Sequence, residues 1–153
     1  MATTTFQGIV RSHGGAGKGN ATPGVVSISE VVAFNPVGGT AANVKVGTSH
    51  TAGENFILPD NAIPISFLTI GGATGGTNPT VDIGTSADPD GFFNEVDADT
   101  KGTLKGADGA LVVAGGITAA STVTGKVGSS AATGGTVTGV FTYTVVDAGK
   151  DSV

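Results

Sequence analysis

Glycine and proline interrupt this chain so often that no helix of ordinary length fits between them. Of its 153 residues, 27 are glycine and 6 are proline. The longest stretch without either is Val25–Asn35, and the next longest is Phe92–Lys101. Because both residue types break helices, there is no room for an ordinary amphipathic helix. The sequence therefore predicts an all-β protein.

The composition points the same way and also indicates an assembly. Gly, Thr, Ala and Val make up more than half of the chain, whereas the helix-favouring Leu, Glu and Gln are scarce. Charged residues make up 12%, about half the ~25% typical of soluble domains. Because a soluble monomer normally keeps itself dispersed with surface charge, we expect this protein to work in contact with other subunits.

Eight segments rich in apolar and β-branched residues are predicted to be strands. Short strands at regular spacing, joined by glycine-rich turns, are typical of an antiparallel sandwich or barrel. We therefore predict one antiparallel β-sandwich over residues 25–153, with about eight strands in a jelly roll or another Greek key. The segments are Val25–Phe34, Ala41–Val46, Asn55–Leu58, Ala62–Ile70, Thr80–Gly84, Ala110–Ala114, Ser121–Val127 and Val137–Asp147.

Alternation within these segments predicts which side chains face the core. In Thr80–Gly84, Val81 and Ile83 point inward and Asp82 outward. Pro64 predicts an edge position or a bulge at the start of its strand. Phe92–Lys101 is expected to hold a short helical turn at most. In the last strand, one face carries Val137, Phe141, Tyr143 and Val145, and the other carries Thr138, Thr142 and Thr144.

Residues 1–24 are predicted to form an extended arm that leads into the sandwich. Ser12–Gly24 has no apolar periodicity and supplies no strand. The start of the arm nevertheless carries three apolar side chains and an arginine, which a free tail would not use. We expect these side chains to contact a neighbouring molecule, the alternative being a disordered terminus. They are Phe6, Ile9, Val10 and Arg11.

Several classes of protein are excluded by composition. The sequence has no cysteine, which excludes a disulfide scaffold, a cysteine protease, a zinc ribbon and an iron–sulfur protein. A net charge of −5 with a single arginine argues against nucleic-acid binding. We find no run of about 20 predominantly apolar residues, so no membrane helix is predicted. The first residues do not resemble a secretory signal, and we expect synthesis in the cytoplasm.

Asp88–Asp99 is the segment that most resembles a metal site. Its carboxylates are hard oxygen ligands at short spacing, and Asp88, Asp90 and Asp97 could hold calcium. The favoured interpretation is a solvated turn opened by Pro89, Asp90 and Gly91. We therefore expect no bound metal and no cofactor.

Other candidate sites are weaker, and no enzymatic activity is predicted. Gly14–Asn20 only partly matches a phosphate-binding loop. The histidines, His13 and His50, lie among small polar residues and lack the pattern of a catalytic triad. A glycosidase could pair Glu54 or Glu95 with an aspartate, but the chain has no Trp. Its single tyrosine, Tyr143, is expected in the core.

Four segments, taken in order, carry a family resemblance: MATTTFQGIVRS, FILPDNAIPISFLTI, PTVDIGTSADPDGFF and GTVTGVFTYTVVDAG. In this order they resemble small virion structural proteins of tailed bacteriophages, especially short-tailed marine and cyanobacterial phages. The resemblance covers most of the chain, and its specificity lies in the order of the segments.

The resemblance implies a capsid decoration, or cement, protein. Such proteins are compact β-sandwiches, often trimers, that sit on the outside of the icosahedral head over junctions between major capsid subunits. They reinforce the shell against the pressure of the packaged DNA, and an N-terminal arm commonly forms part of the contact. The expected partner is the major capsid protein, with no nucleic acid or membrane involved, and the expected location is the capsid exterior.

Two other functions remain open. Within the virion, the chain could be the base of a head fibre or a knob at a vertex or on the tail. Outside it, the chain could be a bacterial extracellular glycan-binding or adhesion module, although the missing signal and aromatic platforms count against this. A hydrolase ranks third.

Overall fold

The computed structural model describes residues 26–36, 40–74, 77–102, 104, 107–128 and 134–145. The predicted arm, residues 1–24 with Phe6, Ile9, Val10 and Arg11, lies outside the described residues. The described part of the chain is all-β, with eleven strands and one short helix. These are β1 (Val26–Phe34), β2 (Ala42–Asn43), β3 (Lys45–Val46), β4 (Ile57–Leu58), β5 (Ala62–Thr74), β6 (Thr80–Gly84), β7 (Phe93–Asp97), β8 (Ala107–Asp108), α1 (Ala110–Val113), β9 (Ser121–Thr122), β10 (Thr124–Val127) and β11 (Gly134–Val145).

The strands form two larger antiparallel sheets and one small pair. The first sheet has the order β3-β1-β11-β5, and the second has the order β2-β10-β6-β7-β8. The small pair joins β4 to β9. All-β architecture with antiparallel pairing is therefore confirmed. That these strand orders form a jelly roll stays a prediction.

The two larger sheets bury one common core, which gives a sandwich-like arrangement. Phe141 of β11 lies at its centre and is fully buried. Its ring centroid lies 5.6 Å from that of Phe93 in the second sheet and 5.2 Å from that of Phe56. Both distances are typical of favourable aromatic pairs. The predicted inward positions Val137, Phe141 and Tyr143 are all buried.

The structure contains two short strands where the sequence predicts one at Ala41–Val46. β2 pairs with β10 in the second sheet, whereas β3 pairs with β1 in the first. Val44, between them, is fully buried and its N–H donates to the carbonyl of Val123. The segment crosses from one sheet to the other, and Ser121–Val127 is similarly divided into β9 and β10. The two crossings add two strands to the eight predicted, β7 and β8 add two that were not predicted, and Ala110–Ala114 does not form one.

The prediction of a strand at Ala110–Ala114 is wrong, because Ala110–Val113 forms helix α1. A short apolar run has no period that separates a strand from a helical turn. Here the run forms a single helical turn, in which the Ala114 N–H donates to the Ala110 carbonyl. Gly115 and Gly116 then adopt φ angles of 93° and 101°, which end the helix in the left-handed region that glycine favours.

Phe92–Lys101, for which the sequence allows a short helical turn at most, contains a strand that is not among the eight predicted. Phe93–Asp97 forms β7, which pairs with β6. Phe92 and Phe93 are fully buried. The lack of Gly and Pro would allow a helix in this segment. A strand forms instead, because pairing with β6 buries both rings in the core.

The prediction for Pro64 is confirmed, since β5 is an edge strand with a register shift opposite Pro64.

Candidate functional site

The outer face of the first sheet is uncharged along its three long strands, and its charge is confined to Lys45 of the short edge strand β3, which pairs with Ala33. Register places Ser29 of β1 beside Thr142 of β11, and Thr142 beside Ser66 of β5. The hydroxyls of Ser29 and Thr142 are hydrogen-bonded at 2.9 Å. We call this surface the neutral face. Its exposed and partly exposed members are Ser27, Ser29, Val31, Ile63, Ser66, Leu68, Leu104, Thr138, Val140 and Thr142.

An apolar row crosses the middle of the neutral face. Val31 pairs with Val140, Val140 with Leu68, and Leu68 with Leu104 through an isolated bridge. The exposed fractions of Val31 and Leu104 are 37% and 60%. Directly paired residues share one side of a sheet, so the four side chains form a stripe. An exposed apolar stripe framed by neutral hydroxyls is typical of a surface that meets another protein.

A polar cluster occupies the outer face of the second sheet. Asp82 of β6 accepts the Glu95 N–H at 3.0 Å through Oδ1, and Lys126 Nζ lies 3.9 Å from its Oδ2. Glu95 in turn accepts the hydroxyl proton of Thr80. The predicted outward direction of Asp82 agrees with these contacts. Asp82 is nevertheless only 7% exposed, because Glu95 and Lys126 contact it.

Glu95 has a backbone conformation that nothing in the sequence signals. Its φ is +56°, in the left-handed region that is uncommon for residues other than glycine. The β6–β7 register shifts at this place, between Val81 and Ile83. The hydrogen bond from Glu95 N–H to Asp82 holds this bulge in place. Glu95, one of the two glutamates of the glycosidase alternative, is thus part of the bulge structure together with Asp82.

Ionisation of Asp82 works against folding. Burial raises the pKa of Asp82, and the charges of Glu95 and Asp90 raise it further, whereas the Glu95 N–H and Lys126 lower it. Asp97 shows the opposite balance. Burial alone would raise its pKa, but hydrogen bonds from Thr100 and Asp99 lower it overall. The two aspartates therefore contribute to stability with opposite dependence on pH.

We expect Asp82→Asn to stabilise the protein near neutral pH. The folded-state pKa of Asp82 lies above its ordinary 3.8, so the wild type loses stability as pH rises from below that value through the folded pKa. Asparagine keeps an oxygen for the Glu95 N–H and removes the charge. Urea unfolding at about pH 7 and about pH 3 should show a gain at the higher pH that shrinks at the lower.

Asp97→Asn is the matched variant with the opposite sign. Because the folded-state pKa of Asp97 is lowered, its charge contributes stability above the unfolded pKa, and this is lost as pH falls through the folded pKa. The variant should therefore be less stable than the wild type at neutral pH. Gains of equal size for Asp82→Asn at both pH values would contradict this account.

The three aspartates of the calcium alternative are not brought together. Asp97 Oδ1 accepts the N–H groups of Asp99 and Thr100, each at 3.0 Å. Burial and a hydrogen bond to Asp90 raise the pKa of Asp88. Across the described ranges, no three His, Cys, Asp or Glu side chains are placed to hold a metal ion. The segment opens with a turn, in which Gly91 N–H donates to the Asp88 carbonyl at 3.1 Å.

The remaining candidates are separate from one another. His50 Nδ1 lies 2.6 Å from Thr136 Oγ1, at one end of β11. Glu54 is exposed, and Tyr143 is buried in the core as predicted. His13 and Gly14–Asn20 lie outside the described residues. None of the helices in the described part of the chain has the length and apolar character needed to cross a membrane.

Comparison with known proteins returns no relative: no family model, no curated protein and no solved structure matches this chain.

Proposed function

We propose that this chain is a capsid decoration protein of a tailed bacteriophage. It binds the outer surface of the capsid, contacts the major capsid protein and stabilises the shell, with no catalytic role. The order of the four sequence segments supports this proposal. The neutral face with its apolar row is the structural observation that carries it.

The neutral face suits a flat contact with a protein lattice. The apolar row can be dehydrated at small cost, because no charge lies among its members Val31, Val140, Leu68 and Leu104. Serine and threonine hydroxyls on either side can exchange water for hydrogen bonds with the lattice. The outer face of the second sheet carries the charged cluster of Asp82, Glu95 and Lys126, and in this proposal it faces solvent.

In this proposal the arm leads into the same sheet. β1 begins at Val26, two positions after the predicted end of the arm, and β1 is a central strand of the first sheet. An arm that contacts the capsid and a sheet face that rests on it would therefore act side by side. We assign the anchoring contacts of the arm to Phe6, Ile9, Val10 and Arg11.

We expect Val31→Lys to weaken capsid binding at least about tenfold, equivalent to about 1.4 kcal/mol. The lysine would bring an unpaired charge into the dehydrated contact. At 37% exposure, the position tolerates a long side chain in the free protein. Co-sedimentation with undecorated capsids measures the binding.

The matched control for Val31→Lys is Ser86→Lys, which makes the same change in charge at an exposed position in the turn after β6. Equal binding by both variants would argue against the neutral face as the contact.

The free protein is expected to be a trimer. Low charge and many neutral strands favour contacts between subunits, and the resemblance implies three-fold symmetry. Light scattering should give three times the chain mass of 14.7 kDa. Val31→Lys should keep this mass, because we place the neutral face against the capsid and not between subunits. A monomer at micromolar concentration would exclude a stable free trimer.

A further inference from the structure

One edge of the first sheet is open over the first half of β1. The neighbouring strand β3 pairs only with Val32 and Ala33. One position further, the Val31 carbonyl accepts the Gly47 N–H at 2.7 Å. Before that point, no described residue pairs with β1 on the side away from β11. We call residues 26–30, seen from this side, the β1 edge.

The β1 edge presents the backbone groups of Ser27 and Ser29. In a strand, the N–H and C=O groups of successive residues point to opposite sides within the sheet. Because the Val31 carbonyl points away from β11, the groups of Ser29 and Ser27, two and four positions earlier, point the same way. Each of the two serines therefore offers one donor and one acceptor to an added strand.

The opposite edge of the sheet, along β5, is protected. Pro64 has no N–H to offer, and the register of β5 with β11 shifts at three places. The Ala62 carbonyl already accepts the Ile117 N–H at 3.0 Å. The Thr69 carbonyl accepts the Gly102 N–H at 2.8 Å.

The β1 edge has none of these protections. β1 pairs with β11 in unbroken register over its whole length, and its sequence contains neither proline nor lysine. Proteins normally block their edge strands, because an open and regular edge pairs with strands of other chains. The contrast within one sheet indicates that the β1 edge is kept open for an added strand.

The side chains of the β1 edge define which strand fits. Ser27 and Ser29 are exposed on the neutral face, whereas Ile28 and Glu30 point to the core side and are half-buried. Ile28 packs against the core, so the position beside it favours an apolar side chain. Beside Glu30 a lysine or arginine is favoured, because a neutral strand would bury the carboxylate without a counter-charge.

We propose that an extended segment of the major capsid protein adds a strand to the β1 edge, with a lysine or arginine beside Glu30. Ser27 and Ser29 also belong to the neutral face, so a lattice that rests on this face lies directly beside the edge. The charge of Glu30 disfavours a second copy of β1 as the occupant, because two such carboxylates would then share one edge. The inference rests on the proposed function and specifies its contact.

Amide hydrogen exchange of the full-length protein, free and bound to undecorated capsids, tests this inference. The amides of Ser27 and Ser29 should exchange rapidly in the free protein and at least about tenfold more slowly on the capsid, because hydrogen bonding protects them. The amides of Ile28 and Glu30 are the internal control. They already point to β11 and should be protected in both states.

The outcomes separate this inference from the proposed function. If the protein binds capsids but Ser27 and Ser29 still exchange rapidly, the inference fails and the proposed function stands. If the protein does not bind capsids, the proposed function itself fails. Protection of both amides in the free protein would also overturn the inference, because the arm or a second copy would then cover the edge.

Ser29→Pro and Ser29→Ala isolate the backbone contact. Both remove the hydroxyl that bonds to Thr142, but only proline removes the N–H and places a ring at the edge. Proline is tolerated where a strand N–H faces solvent, so both variants should fold. In co-sedimentation, Ser29→Pro should bind capsids at least about tenfold more weakly than Ser29→Ala.

A second pair of variants covers the case in which Ser29→Pro does not fold. Ser27→Pro and Ser27→Ala make the same comparison nearer the start of β1, where proline is better tolerated. Circular dichroism identifies the folded variants. Equal capsid binding by a folded proline variant and its alanine partner would contradict strand addition at the β1 edge.

Discussion

Deletion of residues 1–24 is expected to abolish capsid association while the sandwich stays folded. All residues of the described core lie after Val26, the first being the partly buried Ile28. Removing the arm therefore removes none of these packing contacts. Circular dichroism and the melting temperature should remain close to those of the full chain, whereas co-sedimentation with capsids should be lost.

The size of this effect follows from the balance of two terms. Burying an apolar side chain such as Phe6, Ile9 or Val10 contributes roughly 1.5–3 kcal/mol. Ordering costs about 1–2 kcal/mol for each residue fixed, which is roughly 6–12 kcal/mol for the six residues from Phe6 to Arg11 against roughly 4.5–9 kcal/mol from the three apolar side chains. Because the terms nearly cancel for one copy, we expect binding to depend on several arms of one oligomer that engage together. Phe6→Ala alone should already weaken binding measurably.

Capsid binding by the truncated protein would contradict this prediction. If the truncated protein sediments with capsids as tightly as the full chain, the arm is not an anchor. The Val31→Lys measurement then decides whether the neutral face alone forms the contact. If the truncated protein fails to fold, the arm belongs to the sandwich and the predicted boundary after residue 24 is wrong.

Phe141→Ala is expected to cost about 3–5 kcal/mol of folding stability. The substitution deletes a fully buried ring and leaves a cavity among the rings of Phe56, Phe92 and Phe93, whose centroids lie 5.2, 6.2 and 5.6 Å away. Domains of this kind are stable by only about 5–15 kcal/mol, so the loss is a large part of the total. Denaturant unfolding at constant protein concentration measures it.

Thr142→Ala is the matched variant on the opposite face of the same strand. Its hydroxyl bonds to Ser29 at an exposed site, so we expect a loss well under 1 kcal/mol. Because each alanine replaces a neighbouring residue of β11, changes in strand propensity should be similar. Comparable losses at both positions would mean that a subunit already covers the neutral face in the free protein.

Alternation and β-branched residues were enough to predict the long strands. Val25–Phe34, Thr80–Gly84 and Val137–Asp147 correspond closely to β1, β6 and β11. In each, burial of one face imposes a period of two on the sequence. The buried aromatic positions of β11 follow from the same pattern. β1 and β11 are the two central strands of the first sheet and β6 is the central strand of the second, which is why the fold class could be predicted.

Other features depend on contacts that a local pattern does not encode. The crossing at Val44 depends on hydrogen bonds to Val123 and Phe56, both distant in sequence. Helix α1 is a short apolar run whose period is ambiguous. The left-handed Glu95 is held by Asp82, thirteen positions away.

Candidate surfaces were predictable only where they lie on regular strands. The threonines of β11 indicated the neutral face, because they alternate with buried aromatic residues. The apolar row needed the register among β1, β11 and β5, and the bridge to Leu104.

The most direct test of the decoration proposal is electron cryomicroscopy of the phage particle to which the proposal assigns this chain. We expect density for the sandwich to repeat over the outer surface of the capsid lattice, with three copies around each local axis. The neutral face and residues 1–24 should meet the major capsid protein. Density confined to a vertex or the tail, or a capsid lattice without this chain, would contradict the account.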